Sequence, residues 1–233
     1  MSYEFDWSVL WEYRGLLLEG LKLTLMLFAL GTVISIAIGA VVGVCGASRS
    51  RAWRVFGECY VEFNRNTPLV VKLFFLYFAF GLDAYTAAIT GLAVHQSAYM
   101  AEIFRAGIQS VPRGQSEAGL STGLTRYRTM SRILLPQAIA IVIPPAMTQI
   151  LETLKNSSIA MTIAIPELTF QTQQIEAETF RGFEAATAAT LMYLAIGFAV
   201  VAAISAFETH FVRYRVGSSD SRIDSTPNTR ATV

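Results

Sequence analysis

Charge is scarce in this sequence. Of its 233 residues only 15% are Asp, Glu, Lys or Arg, while 53% are hydrophobic. An ordinary soluble domain carries about 25% charged residues. The shortfall lies in long uncharged runs, which is the pattern of a membrane protein and argues against a soluble enzyme. The net charge is +1, so there is no basic footprint for nucleic acid. Cysteine is nearly absent. Cys45 and Cys59 flank a basic loop without metal-ligand spacing, and neither a metal site nor a structural disulfide is expected. Both are predicted to pack as small apolar side chains. Histidine is limited to His95 and His210, isolated from each other and predicted to be structural or surface residues. No HExxH-type pair and no nucleophile–base constellation occurs, so no catalytic centre and no cofactor is expected. No Walker A pattern is present, which excludes ATP binding through a P-loop. Basic residues are also missing where a secretory leader needs them. Glu4, Asp6 and Glu12 occupy that region, and no cleavable signal peptide is predicted.

What is present is a succession of apolar segments. A span needs about 20 apolar residues. The spacing predicts an all-α integral membrane protein with five transmembrane helices, at about 22–48, 67–82, 84–109, 133–155 and 185–209. Residues 1–20 mix aromatics with charges and read as an interfacial segment. Gly31, Ser35, Gly39 and Gly43 recur every four residues on the first span. Small residues at that spacing admit a close neighbour, and packing within one subunit is the expected use. The loop at Ser48–Arg54 carries Arg49, Arg51 and Arg54, and Arg213 and Arg215 follow the fifth span. By the positive-inside rule these segments are cytoplasmic. The N-terminus is therefore expected outside, and the C-terminus inside with a disordered tail at 216–233. Residues 167–184, rich in Glu and Gln, read as an outside loop or surface helix. Glu102 and Arg105 are three apart on one helix face and are expected to pair.

Between two hydrophobic halves lies a polar stretch, loop 110–132 with its continuation to Pro136. It carries Arg113, Arg126, Arg128 and Arg132 and is predicted to be a cytoplasmic handle for a soluble partner. Two short helices are expected there, joined at Gly123. The fourth span contains Pro136, Pro144 and Pro145 and runs into Glu152, Lys155, Asn156, Ser157 and Ser158. Proline in a membrane helix requires something else to satisfy the freed carbonyls. An ionisable residue inside a membrane is a functional-site hypothesis.

Several motifs carry a resemblance. Tyr99-Met-Ala-Glu-Ile-Phe-Arg-Ala-Gly-Ile108, Val111-Pro-Arg-Gly-Gln115, Glu117-Ala118, Gly123 and Ile133-Leu-Leu-Pro-Gln137 resemble the permease subunits of bacterial ABC importers for polar amino acids. Arg65-Asn-Thr-Pro-Leu69 resembles that family's Arg-Gly-Thr-Pro element, and Leu154-Lys-Asn-Ser-Ser-Ile159 its Leu-Lys-Asp-Thr-Ser-Leu element. The match runs from about Gly20 to Arg215. Lys155–Ser158 together with 169–175 and 179–185 looks most like glutamate/aspartate permeases.

The resemblance implies a type I importer permease fold (MetI-like) over 21–215, in the bacterial inner membrane. It implies a second permease, identical or homologous, a pair of cytoplasmic ATPase subunits and a periplasmic amino-acid-binding protein. Glu117, Ala118, Gly119, Gly123, Arg126 and Pro136 would couple the loop to the ATPase. Lys155, Asn156, Ser157 and Ser158 would bind an anionic amino acid, with Lys72 as a second cationic contact. The bland alternative is that the lysines pair with Glu152 or Glu102, or snorkel to an interface. Ser116, Gly119, Thr122, Asn66 and Lys72 depart from the family pattern, which has Trp, Ala, Leu, Gly and Gln there. An ion-coupled secondary carrier is the alternative class, and a membrane scaffold a third. No inverted repeat is visible, and five spans do not divide evenly.

Overall fold

The computed structural model describes residues 4–220, with side chains to residue 206. Among the described residues every regular element is a helix. In chain order they are α1 (Ser8–Glu12), α2 (Arg14–Gly46), α3 (Arg51–Asn66), α4 (Leu69–Phe74), α5 (Ala84–Ser110), α6 (Arg113–Ser121), α7 (Arg126–Thr129), α8 (Leu135–Asn156), α9 (Leu168–Thr179) and α10 (Gly182–Asp220). α4 continues through a widened turn to Ala79, and a similar turn at Met130–Leu134 joins α7 to α8. Among the described residues three helical stretches are long and apolar enough to cross a membrane: Arg14–Gly46, Arg126–Ile163 and Gly182–Ala206. α5 has the length, at 27 residues, but a polar middle.

α2 and α5 form the central pair, and the small-residue stripe is their contact. A Cβ added at Gly39 would lie 2.6 Å from the Met100 Cβ, and one at Gly43 would lie 2.7 Å from the Ala101 carbonyl oxygen. Gly31 meets Leu92 and Gly46 meets Arg105, so the two helices run in the same direction. The stripe therefore serves packing within one subunit. In lipid, helices associate through such close van der Waals fit, since lipid tails are as apolar as the side chains they would replace.

The chain between this pair runs the opposite way, in two pieces. α3 packs at one end, with Val61 against Val42 and Ala101. α4 packs at the other, with Leu69 and Leu73 against Leu27, Ala88 and Leu92. Arg51 to Ala79 thus travels the length of α2. The segment expected at 67–82 is only the second half of that run. Its first half carries Arg51, Arg54, Glu58, Glu62 and Arg65, so it does not stand out as an apolar segment. The break falls at Thr67 and Pro68, both extended, with ψ of 122° and 145°.

α8 runs antiparallel to α5, with Val142 against Gly107 at one end and Gln149 bonded to Gln96 further along. Pro144 and Pro145 lie inside α8 without breaking it. α8 does not unwind at Lys155–Ser158. It tightens into a 3₁₀ turn through Ile163 and ends at Ala164, in the left-handed region at φ 60°. Residues 168–179 form a packed helix, with Leu168 and Ile175 buried against Leu17, Ala185 and Ala189. Glu167 and Glu184 are fully buried, where a solvated acidic surface was expected. The Asp83 carboxylate caps α5 by accepting from the Thr86 N–H at 3.0 Å, which holds the carboxyl below its ordinary range. Cys45 is half-buried, but Cys59 is exposed on α3 rather than packed. α10 carries the backbone helically to Asp220, so helix replaces the first part of the expected tail. Residues 221–233 lie outside the described residues, as do the side chains beyond 206, His210 included.

Candidate functional site

The loop between α5 and α8 is built around two glycines. Gly123 has φ +79°, a conformation that suits glycine because it lacks a Cβ. Its N–H bonds the Leu120 carbonyl at 3.0 Å, and the Leu124 N–H reaches back to the Gly119 carbonyl at 3.2 Å. This pair of bonds is the Schellman closure of a helix C-terminus. Gly119 is buried against Thr129 and Ile133. A Cβ there would lie 2.8 Å from the side chains of both. The alanine usual at this position would force the Thr129 and Ile133 side chains to shift, so the departure from the family pattern is matched by a close approach of α6 to the start of the long helix. Arg126 is exposed, as are Glu117 and Ala118, while Pro136 stands in the first turn of α8. The Gln137 side-chain amide donates to the Ile133 carbonyl at 2.8 Å, supplying a donor beside the proline. Tyr127 is 80% exposed between Arg126 and Arg128. The fold thus gathers the six proposed coupling residues into one protruding unit at one end of the bundle.

A second polar region lies inside the bundle, in the middle of α5. Three consecutive buried side chains each reach a different helix. His95 Nδ1 is 3.1 Å from Lys72 Nζ on α4. Gln96 accepts from the Gln149 amide on α8. Ser97 is 2.7 Å from the Tyr60 hydroxyl on α3. Arg65 lies over the Tyr99 ring at 5.3 Å. Of this layer only Lys72 is a substrate-site candidate from the sequence; His95 is expected there as a structural or surface residue. The signal in sequence was the His-Gln-Ser triplet at the centre of an otherwise apolar run.

The other candidates sit elsewhere. Lys155 is exposed and ion-paired with Glu152. Ser157 is buried, and its hydroxyl donates to the Leu154 carbonyl at 2.7 Å. Ser158 donates to the Lys155 carbonyl at 2.7 Å. These hydroxyls are bonded to their own helix, and Asn156 is half-buried beside them. The expected pair forms a fork: Arg105 donates from Nε at 3.0 Å and from Nη2 at 2.5 Å to the two Glu102 oxygens.

A third junction had no forecast. The Glu167 carboxylate accepts from the backbone N–H of Thr169 at 3.0 Å and of Phe170 at 2.9 Å, and from the Tyr193 hydroxyl at 2.9 Å. Thr24 on α2 accepts the Leu168 N–H at 3.1 Å. The junction joins α2, α9 and α10. No group of three or more His, Cys, Asp or Glu able to hold a metal occurs among the described residues.

Known proteins share this arrangement. The family model described as "Binding-protein-dependent transport system inner membrane component" matches residues 21–213. The glutamine transport system permease protein GlnP of Escherichia coli (strain K12) is 35% identical over 200 residues, covering 83% of this chain and 91% of the relative. The probable amino-acid ABC transporter permease protein PatM of Vibrio harveyi is 34% identical over 197 residues, covering 81% and 88%. Among solved structures, an amino acid ABC transporter with histidines superposes with a TM-score of 0.81 at 32% identity, covering 89% of this chain and 100% of that one. An inward-facing MetNI methionine ABC transporter shares the fold, with a TM-score of 0.69 at 20% identity. With nearly the whole bundle matched, the chain belongs to the inner-membrane components of binding-protein-dependent transport systems, as a permease subunit of an amino acid ABC importer.

Proposed function

We propose that this permease crosses the membrane five times, with its N-terminus outside, and carries a neutral polar amino acid inward past the middle of α5. The crossings are α2, the broken run from Arg51 to Ala79, α5, the long helix from Arg126 and α10. Loop 110–132 is cytoplasmic and seats on an ATPase subunit, one of a pair. A second permease and a periplasmic binding protein complete the importer. The observation carrying the mechanical part is the Gly119–Thr129 clamp, which ties the exposed loop to a helix long enough to span the bilayer. Motion imposed on α6 would reach the bundle through that contact.

A neutral substrate fits the side chains better than an acidic one. Lys155 is paired with Glu152, and the serines beside it bond their own backbone. The Escherichia coli relative is named for glutamine. Glutamate or aspartate is the second reading, favoured by the ammonium of Lys72.

The test is uptake into proteoliposomes holding the permease, its ATPase and its binding protein. ATP-dependent accumulation of labelled glutamine is expected, with glutamate, aspartate and histidine as competitors. Stronger competition by glutamate than by unlabelled glutamine would transfer the assignment to the acidic reading. Glu117→Ala combined with Gly123→Pro should abolish uptake. Accumulation that survives ATP depletion and collapses with a proton or sodium gradient would overturn the ATP-driven reading.

A further inference from the structure

Lys72 is the buried cation of the described residues, 9% exposed, and its surroundings can be accounted for bond by bond. Pro68 has no N–H, so the Asn64 carbonyl, four residues earlier, loses its helical donor. Lys72 Nζ supplies one at 2.6 Å. A second contact is His95 Nδ1 at 3.1 Å. An ammonium has no lone pair, so His95 must accept there and is itself neutral. The third N–H of the ammonium bonds no described side chain or carbonyl.

Among the described residues no carboxylate pairs with this charge. The four ion pairs found among the described residues link Arg54 with Glu58, Arg105 with Glu102, Lys155 with Glu152 and Arg181 with Glu184. Capping the Asn64 carbonyl does not require a charge. A glutamine, the residue expected at this position from the family pattern, donates equally well. The positive charge is therefore additional to the structural task. It sits in the layer where α3, α4, α5 and α8 exchange polar contacts, halfway along α5.

We infer that Lys72 is a specificity-determining residue, whose unpaired ammonium bars cationic amino acids from the translocation route and admits neutral or anionic ones. The inference rests on the route past α5 given above. Two unit charges about 10 Å apart, at an effective dielectric near 20, repel enough to weaken binding roughly tenfold. That is sufficient to separate a guanidinium or ammonium side chain from a neutral amide of similar size.

The experiment measures amino acid binding to the assembled permease–ATPase complex in detergent, without the binding protein, by isothermal calorimetry. The probes are L-arginine and L-citrulline, which differ in one charged group but hardly in shape, together with L-glutamine. In the wild type citrulline should bind at least tenfold more tightly than arginine. Lys72→Gln should reduce that ratio to within about twofold. Lys72→Arg, which keeps the charge, should preserve the ratio. Equal binding of arginine and citrulline by the wild type overturns the inference without any variant, and so does a ratio that Lys72→Gln leaves intact. Both results would leave the importer route standing. A complex that binds none of the three amino acids removes the route past α5, and the charge filter with it.

Discussion

Glu167 shows how much one side chain can hold. Its carboxylate takes donors from two backbone N–H groups of α9 and from the hydroxyl of Tyr193 on α10. It is wholly buried and stands at the N-cap of α9, where the unsatisfied N–H groups of the first turn favour a negative charge. Glu167→Ala would leave the backbone N–H groups of Thr169 and Phe170 without their acceptor, while the Tyr193 hydroxyl keeps its contact with Thr169 at 3.2 Å. An orphaned buried donor costs about 1–3 kcal/mol, and lost caps about 1 kcal/mol. The expected outcome is a fall of several degrees in the melting temperature of the complex, with Glu167→Gln losing less. Equal losses would mean that the charge, rather than the acceptor geometry, holds the junction. The residue scale is where sequence reading ran short. Glu167 looked like one more acid on a polar surface. Its role needs the start of α9 and the return of α10 past it, and Tyr193 is 26 residues away. The bidentate Glu102–Arg105 pair was readable because both partners lie on one helix, three residues apart.

Among the elements, the α2 stripe was legible and its partner was not. A four-residue period of small side chains announces a close contact on one face. Nothing local says that the neighbour is α5 rather than another subunit. The geometry now permits a paired test. A Cβ at Gly43 would stand 2.7 Å from both the Ala101 carbonyl oxygen and the Phe104 Cβ, neither of which can swing aside. Gly15, also on α2, meets nothing within 4 Å. Gly43→Ala should destabilise by about 1–3 kcal/mol through overpacking. Gly15→Ala should be neutral, or stabilising by roughly 0.5–1 kcal/mol through helix propensity. Thermal unfolding in detergent decides, and equal effects would reject the close approach. The broken run from Arg51 to Ala79 escaped the sequence reading for a related reason. Its first half is amphipathic, and charge normally marks a surface. Here Glu58, Glu62 and Arg65 line a cleft of about 240 Å³ together with Glu102 and Arg105 of α5. Charged residues of two helices thus share one cleft, a neighbourhood invisible in a single segment's periodicity.

At the scale of the whole molecule, the question is whether the loop merely docks or also transmits. α6 follows α5 after two residues, and its buried glycine rests on Thr129 and Ile133, where the long helix begins. A docking patch needs only the exposed side chains Glu117, Ala118, Arg126 and Tyr127. Transmission needs the buried contact as well, because a loop that slides on its base cannot move a helix. The two roles separate under substitution. Thr129→Ala with Ile133→Ala leaves the exposed face intact and opens a void under Gly119. If the loop transmits force, ATP hydrolysis by the assembled importer should stay within about twofold of wild type, while amino acid imported per ATP falls several-fold. Truncating the half-buried Ile133 would cost less than the roughly 2–5 kcal/mol of a fully buried isoleucine, but enough that the melting temperature must be recorded beside the transport data. A second variant guards against simple unfolding. Thr129→Ser removes only the methyl that touches the glycine, and it should give a smaller loss in the same ratio. Hydrolysis and uptake falling in parallel for both variants would mean that the loop docks without transmitting, and coupling would then have to pass through the exposed face alone.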